Sequence, residues 1–370
     1  MQSTFEGVFQ GIPVLVTGHT GFKGSWLSIW LNELGAKVIG YSLDPPTIPS
    51  NFGASRLARR IVDMRGNVRK LDALRRVIEE FKPQVVFHLA AQAIVRESYA
   101  SPKDTFDINV GGTVNILEAI RLTNSVKAVI CITSDKCYQN QEWTWGYREV
   151  DRLGGRDPYS ASKAMAELAI SAYRQSFFPK DRYQEHRVAA ASTRAGNVIG
   201  GGDWGKDRIM SDSVCALMEG QTVRVRNPNS VRPWQFVLEP LSGYLWLAAK
   251  LLREGCGFAE AWNFGPSERL AVSVRDLVQE LIELWGTGEW EDISSDQAPH
   301  EAGLLSLSWE KAANLLGWWP VYTWHKALAE TVDWFKKYHE DSSADMYDTC
   351  VEQIRCYVDR ARELGVVWAP

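Results

Sequence analysis

Apolar positions along the chain fall into short runs that alternate between two periods. Residues 12–17 form a β-branched run, 25–34 sets Trp26, Leu27, Trp30, Leu31 and Leu34 at helical spacing, and 37–43 returns to a strand pattern. Together they predict one strand–helix–strand unit of about 30 residues. The alternation continues through 60–63, 68–81, 85–90, 105–122, 126–134, 161–176 and 188–193. Strands alternating with helices predict an α/β fold, a Rossmann-type doubly wound parallel sheet. Right-handed crossovers then bring the carboxyl ends of the strands to one rim, where ligands bind.

After Gly196 the pattern changes. Residues 200–204 read as a loop, 210–218, 237–252, 274–285, 309–316, 321–340 and 346–364 as helices, and 261–264 as a last strand. The chain is therefore expected to divide into a dinucleotide-binding domain, 1–196, to which 236–265 returns, and a smaller, mostly helical C-terminal substrate lobe, 197–235 and 266–370. The 370 residues are 45% apolar and 23% charged, the make-up of an ordinary globular protein. A net charge of -4 carries no footprint for nucleic acid. No run approaches the ~20 apolar residues of a membrane span, and residues 1–10 lack the basic and apolar regions of a secretory signal, so a cytoplasmic protein is expected. The six cysteines lack metal spacing and are read as buried thiols, with no metal. Most of the sixteen tryptophans are read as core anchors; Trp204 and Trp234 fall in loops and suit either the core or a pocket wall.

The candidate chemistry begins at the first strand's end. Gly18, Gly21 and Gly24 let the chain turn tightly, approach a pyrophosphate and pack helix on strand, with the helix N-terminus facing the phosphates. Thr20, Phe22 and Lys23 complete this cofactor loop, Lys23 suiting either a phosphate or ribose contact or a solvated position. Asp44, 20 residues after Gly24, is placed for a ribose hydroxyl, which argues for NAD. Arg56, Arg59 and Arg60 suit a 2′-phosphate or, more simply, a solvated basic face, and Asp63-Met64, after a strand, reads as a hold on the adenine edge or as an ordinary turn. Tyr159 and Lys163 are four residues apart, so on a helix they address one small volume. A phenol with a pKa near ~10 is a poor base at neutral pH. Bringing it into range costs roughly 4 kcal/mol, which the lysine and an oxidised nicotinamide could supply in a dry site.

Gly18-x-x-Gly21-x-x-Gly24, His88-Leu-Ala-Ala-Gln92, Asn109-Val-x-Gly-Thr, Tyr159-x-x-x-Lys163 and Thr193-Arg-Ala-Gly-Asn197 follow one another in the order of the extended short-chain dehydrogenase/reductase family. Within it, residues 18–27, 133–138, 200–204 and 232–245 resemble the nucleotide-sugar 4,6-dehydratases. The resemblance implies a nucleotide-sugar substrate, NAD that is not consumed, and Ala90, Ala91 and Gln92 along the cofactor. It implies that Tyr159, helped by Lys163 and Ser134, takes the proton of the sugar's 4-hydroxyl, and that Asp135 and Lys136 serve the loss of water. Many relatives carry glutamate where Lys136 stands, which leaves the base at C5 open. Asn197, Arg232, Arg208 and His300 are the implied substrate contacts. Relatives pair through helices corresponding to 105–122 and 161–176, implying a homodimer or homotetramer. A 4-epimerase would need no Asp135-Lys136 pair, a dinucleotide sensor could dispense with Tyr159 and Lys163, and a GDP-mannose type dehydratase using NADP is a third, nearer alternative.

Overall fold

A computed structural model describes residues 3–266, 272–294 and 304–370 of the chain. Seven parallel strands form the central sheet: β1 (Pro13–Thr17), β2 (Lys37–Ser42), β3 (Val62–Arg65), β4 (Val85–His88), β5 (Ala128–Ile132), β6 (Ala189–Arg194) and β7 (Ala261–Asn263). Their order is β3-β2-β1-β4-β5-β6-β7, so the winding of the sheet reverses between β1 and β4. In register, Thr17 lies beside His88, His88 beside Cys131 and Ile132 beside Thr193, so successive strand ends share one rim. That is the crevice where an open α/β sheet binds its ligand. β1, β4 and β5 are buried along nearly their whole length, which explains their continuous apolar runs.

Most predicted elements appear with ends displaced by one to three residues. β3 is displaced by two, so Asp63 and Met64 lie within the strand rather than after it. The helix predicted at 161–176 spans Pro158–Ser176, because Pro158 fits its first turn and Asp157 caps it, accepting the Ser160 N–H at 2.9 Å. Residues 105–122 form a helix interrupted by a π-turn, Asp107–Gly111. Of 309–316, residues 310–316 wind, Ala312–Leu316 as a π-turn.

β7 pairs with β6, and the helix Leu238–Glu254 that precedes it is buried beneath the sheet. The last helix, Met346–Glu363, lies against the first, Phe22–Glu33; Asn32 donates to Tyr347 Oη at 2.7 Å, and that hydroxyl donates to Glu33 at 2.8 Å. Arg60 bridges to Asp345 at 2.9 Å and covers the Tyr347 ring, while Arg56 donates to Ser343 O. These two arginines therefore fasten the C-terminal segment instead of forming a free basic face. Phe5 stacks on Trp368 with ring centres 4.9 Å apart, and its N–H donates to Trp368 O at 2.8 Å. Trp204 packs edge-on to Trp334, Phe335 and Tyr338, which settles its role as core.

Candidate active site

The glycine turn is built for a close approach. Gly18 has φ +76°, and a Cβ there would lie 2.7 Å from Ala90 N, at the end of the neighbouring strand. A Cβ on Gly24 would collide with Gly18 O, whereas one on Gly21 would meet only that oxygen, at 3.3 Å. The helix Phe22–Glu33 has no side-chain cap at Gly21. Its first-turn N–H groups therefore point into the crevice, where phosphate oxygens would satisfy them. These features fit a dinucleotide. Thr20 shares a hydrogen bond with Ser42 at 2.8 Å and donates to Leu43 O, bracing the loop rather than reaching outward. At the far end of β2, Asp44 is exposed and paired with Arg65 at 3.1 Å. Arg65 also reaches Asp63 at 2.7 Å, and His19 meets the same carboxylate oxygen at 2.8 Å. His19, Asp63, Arg65 and Asp44 thus form a chain of polar groups along the edge where a ribose would lie. Sequence reasoning missed Arg65; its place two residues after Asp63 on an edge strand was the available signal.

Gln92 is spent on its own loop: its side chain donates to Ile94 O and accepts from Ile94 N, and its N–H donates to Asn109 Oδ1. Asn109, on the π-turn, also donates to Gln92 O and to Ser162 Oγ. The loop after β4 is thereby pinned to the helix that carries Tyr159 and Lys163. Ala90 borders the glycine turn, and Met64 packs on the apolar cluster of the sheet face opposite the helix Leu238–Glu254.

Tyr159 and Lys163 are both buried, and the Lys163 ammonium lies 6.0 Å from the centre of the Tyr159 ring. The phenol is pushed up to about 12, chiefly by burial, with the Ser134 hydroxyl opposing and the Asp135 charge adding. Lys163 is pushed down to about 8, again by burial. The protein's own groups therefore do not bring the phenol into the neutral range, contrary to the simple expectation from an adjacent lysine. Desolvation outweighs a cation held this far from the ring. Lys23 is also lowered to about 8, by burial and then by Lys163 and Arg208. Three basic side chains, Lys23, Lys163 and Arg208, thus converge on one volume, with Asp135 and Asp203 as the opposing charges.

Ser134 donates to Asp135 Oδ1 at 2.7 Å, and the Lys136 N–H donates to the same oxygen at 2.9 Å. The other carboxyl oxygen lies against Gly196, where any Cβ would displace it. Lys136 is half-buried beside it in the turn Asp135–Cys137. On the far side of the crevice a cleft of about 380 Å³ is lined by Asn197, Arg226, Arg232 and Trp234, among others. Asn197 holds a left-handed conformation, φ 52°, with its carbonyl accepting from Gln235 N. Arg232 donates to Val231 O. Arg208 is tied to Asp203 at 2.6 Å. Trp234 is both buried and a cleft wall. Arg194 is buried in an ion pair with Glu167 at 2.7 Å. His300 lies outside the described residues. No group of three His, Cys, Asp or Glu suited to a metal occurs among the described residues, and no helix among them is long and apolar enough to cross a membrane.

Residues 14–259 match the NAD dependent epimerase/dehydratase family. The chain is 51% identical over 331 residues to a CDP-glucose 4,6-dehydratase of Salmonella typhimurium, covering 90% of this chain and 92% of the relative. It is 26% identical to a UDP-glucose 4-epimerase of Mycolicibacterium smegmatis, covering 87% and 98%. Among solved structures it resembles the dTDP-glucose 4,6-dehydratase of Bacillus anthracis in complex with NAD, at a TM-score of 0.73 and 25% identity, over 89% of this chain and 98% of that one.

Proposed function

This chain belongs to the NAD dependent epimerase/dehydratase family, and from that footing we propose that it converts CDP-glucose to CDP-4-keto-6-deoxyglucose and water. The cofactor is NAD, which the glycine turn would hold and which would supply a hydride acceptor, the hydride returned and a positive charge. Gly18, Gly21, Gly24 and the first-turn N–H groups of Phe22 and Lys23 hold the pyrophosphate, and Asp44 takes the ribose in exchange for Arg65. Tyr159 accepts the proton of the 4-hydroxyl, with Ser134 holding that oxygen and Lys163 compensating the phenolate. The ketone at C4 acidifies the C5 hydrogen. Lys136 removes that proton and Asp135 delivers one to the departing 6-hydroxyl, so water leaves; Lys136 then returns its proton to C5 as C6 is reduced, and the 4-hydroxyl proton held by Tyr159 passes through Ser134 to restore Asp135. Arg232, with Asn197 and Arg208, holds the diphosphate and sugar; a planar guanidinium suits a diphosphate. Residues 197–235 and 266–370 form the substrate lobe, and residues 1–196 with 236–265 the cofactor domain.

One observation carries this reading over a 4-epimerase. Oxidation and reduction at C4 need only Tyr159, Lys163 and the cofactor, yet an acid–base pair, Asp135-Lys136, leaves β5 in the turn beside Tyr159. The choice of cytidine rests on the Salmonella relative. We place the enzyme in the cytoplasm, making deoxysugars for surface polysaccharide such as O-antigen. It acts as a homodimer or homotetramer, paired through the helices at 105–122 and 161–176; Met165 and Leu168 leave large apolar side chains exposed on the second of these. Incubation with CDP-glucose, followed by alkali, tests the function through the absorbance of a 4-keto sugar. An epimerised hexose without keto product would overturn it.

A further inference from the structure

One turn beyond Lys163, on the same stripe of the helix as Tyr159, stands Glu167. It is buried, and its carboxylate is fully engaged: Thr133 donates to one oxygen at 2.5 Å, Ser192 and Arg194 to the other at 2.8 and 2.7 Å. Arg194 in turn donates to Tyr138 Oη at 2.6 Å and Glu149 O at 3.1 Å, and the Tyr138 hydroxyl donates to Asn263 at 2.8 Å. A single buried network therefore joins the reactive helix to the carboxyl ends of β5, β6 and β7. Thr133 immediately precedes Ser134 and Asp135, and Arg194 opens the segment that leads to Gly196 and Asn197. An ion pair this deep adds little stability over an apolar pair of the same volume. We propose that Glu167 and Arg194 are positioning residues for oxidation at C4, fixing Tyr159 and Lys163 against Ser134 and setting a negative charge behind the Lys163 ammonium.

The groups facing Lys163 are Cys131 and Cys137 from β5 and its turn, His88 at the end of β4, Lys23 from the first helix, and Tyr159 and Glu167 from its own. Burial keeps both thiols protonated and His88 neutral. Burial also opposes ionisation of Glu167, but Arg194, Thr133 and Ser192 outweigh it and hold the carboxyl below its usual range. Of these six, Glu167 is thus the one that carries a negative charge.

Glu167→Gln keeps the shape and the bonds to Thr133 and Ser192 while removing the charge. Single-turnover oxidation at C4 is followed across pH in the full chain loaded with NAD and CDP-glucose, alongside Tm and the Kd for CDP-glucose. The expected result is oxidation slowed by about ten-fold or more, within the range general acid–base groups contribute. Its alkaline limb should move to lower pH, because Lys163 sheds its proton more readily, while Kd stays nearly constant. A double variant, Glu167→Leu with Arg194→Met, should regain the Tm lost by either single change yet stay slow. A Glu167→Gln enzyme with wild-type rate and pH profile, or a double variant that regains both Tm and rate, overturns the proposal. The inference rests on the reading above but measures only oxidation at C4, a step 4-epimerases share. Wild-type enzyme that oxidises C4 without losing water overturns the dehydratase reading and leaves this one standing.

Discussion

At the scale of single residues, the site is governed by a contest between burial and charge. Tyr159 sits near 12 because its surroundings are dry, and the same dryness drives Lys163 down to about 8. Both groups are held away from their ordinary ionisation, so proton transfer waits on ligands that bring charge into the crevice. Tyr159→Phe should abolish the oxidation step while leaving the Kd for CDP-glucose within about two-fold, since the phenol acts on a proton rather than as a binding group; stopped-flow absorbance and calorimetry check the two halves. Asp135→Asn should still form the 4-ketone but stall before water leaves, slowing product formation by about 10²-fold or more. Deuterium from solvent appearing at C5 without deoxysugar would identify that stalled state, and normal turnover would remove Asp135 from the mechanism.

At the scale of elements, the chemistry depends on where two helices begin. Tyr159 lies in the first turn of its helix, a turn held by Asp157, which accepts both the N–H and the hydroxyl of Ser160. Asp157→Ala should cost about 1 kcal/mol in urea unfolding. It should also slow C4 oxidation by fraying the turn that aims the phenol, with Asp157→Asn recovering both. Gly24→Ala places a methyl against Gly18 O, so the loop must open and NAD affinity should fall at least about ten-fold by calorimetry. The sequence made the glycine turn and the Tyr/Lys spacing plain because both are local patterns. It placed this helix's start three residues late, since 158–160 carry no apolar periodicity and only the cap defines the beginning. Glu167 was missed for a different reason. Its spacing from Lys163 is visible, but its partners, Thr133, Ser192 and Arg194, lie 34, 25 and 27 residues away. Only the parallel register of β5 and β6 brings them together.

At the scale of the whole molecule, a second buried carboxylate joins the sheet to the C-terminal helices. Glu239 accepts from Val321 N, Tyr322 N and the Tyr357 hydroxyl, and burial raises its pKa to about 7 despite those donors. A folded-state pKa above the unfolded value means protons are bound on folding, so stability is full below about 4.5 and falls as pH rises through 7. The loss amounts to about 3 kcal/mol, an order-of-magnitude figure. Glu239→Gln keeps an acceptor for both N–H groups and should flatten the dependence of Tm on pH between about 5 and 8. A wild-type Tm that does not fall across that window would contradict this assignment. In the sequence Glu239 is one polar residue in an apolar run, and nothing nearby announces partners 82 and 118 residues on. The sheet order was legible from alternation; the wrapping of residues 346–363 onto the first helix was not, because that contact is made by scattered aromatic and polar side chains rather than by a repeating pattern.

The pairing of Phe5 with Trp368 has a consequence for how the protein is made. Phe5 leaves the ribosome long before Trp368, so its ring face stays uncovered until that later residue arrives. Biosynthesis therefore runs ahead of burial for most of the chain's length. A nascent polypeptide stalled before that tryptophan should remain open to protease near its first strand, while one that includes it resists.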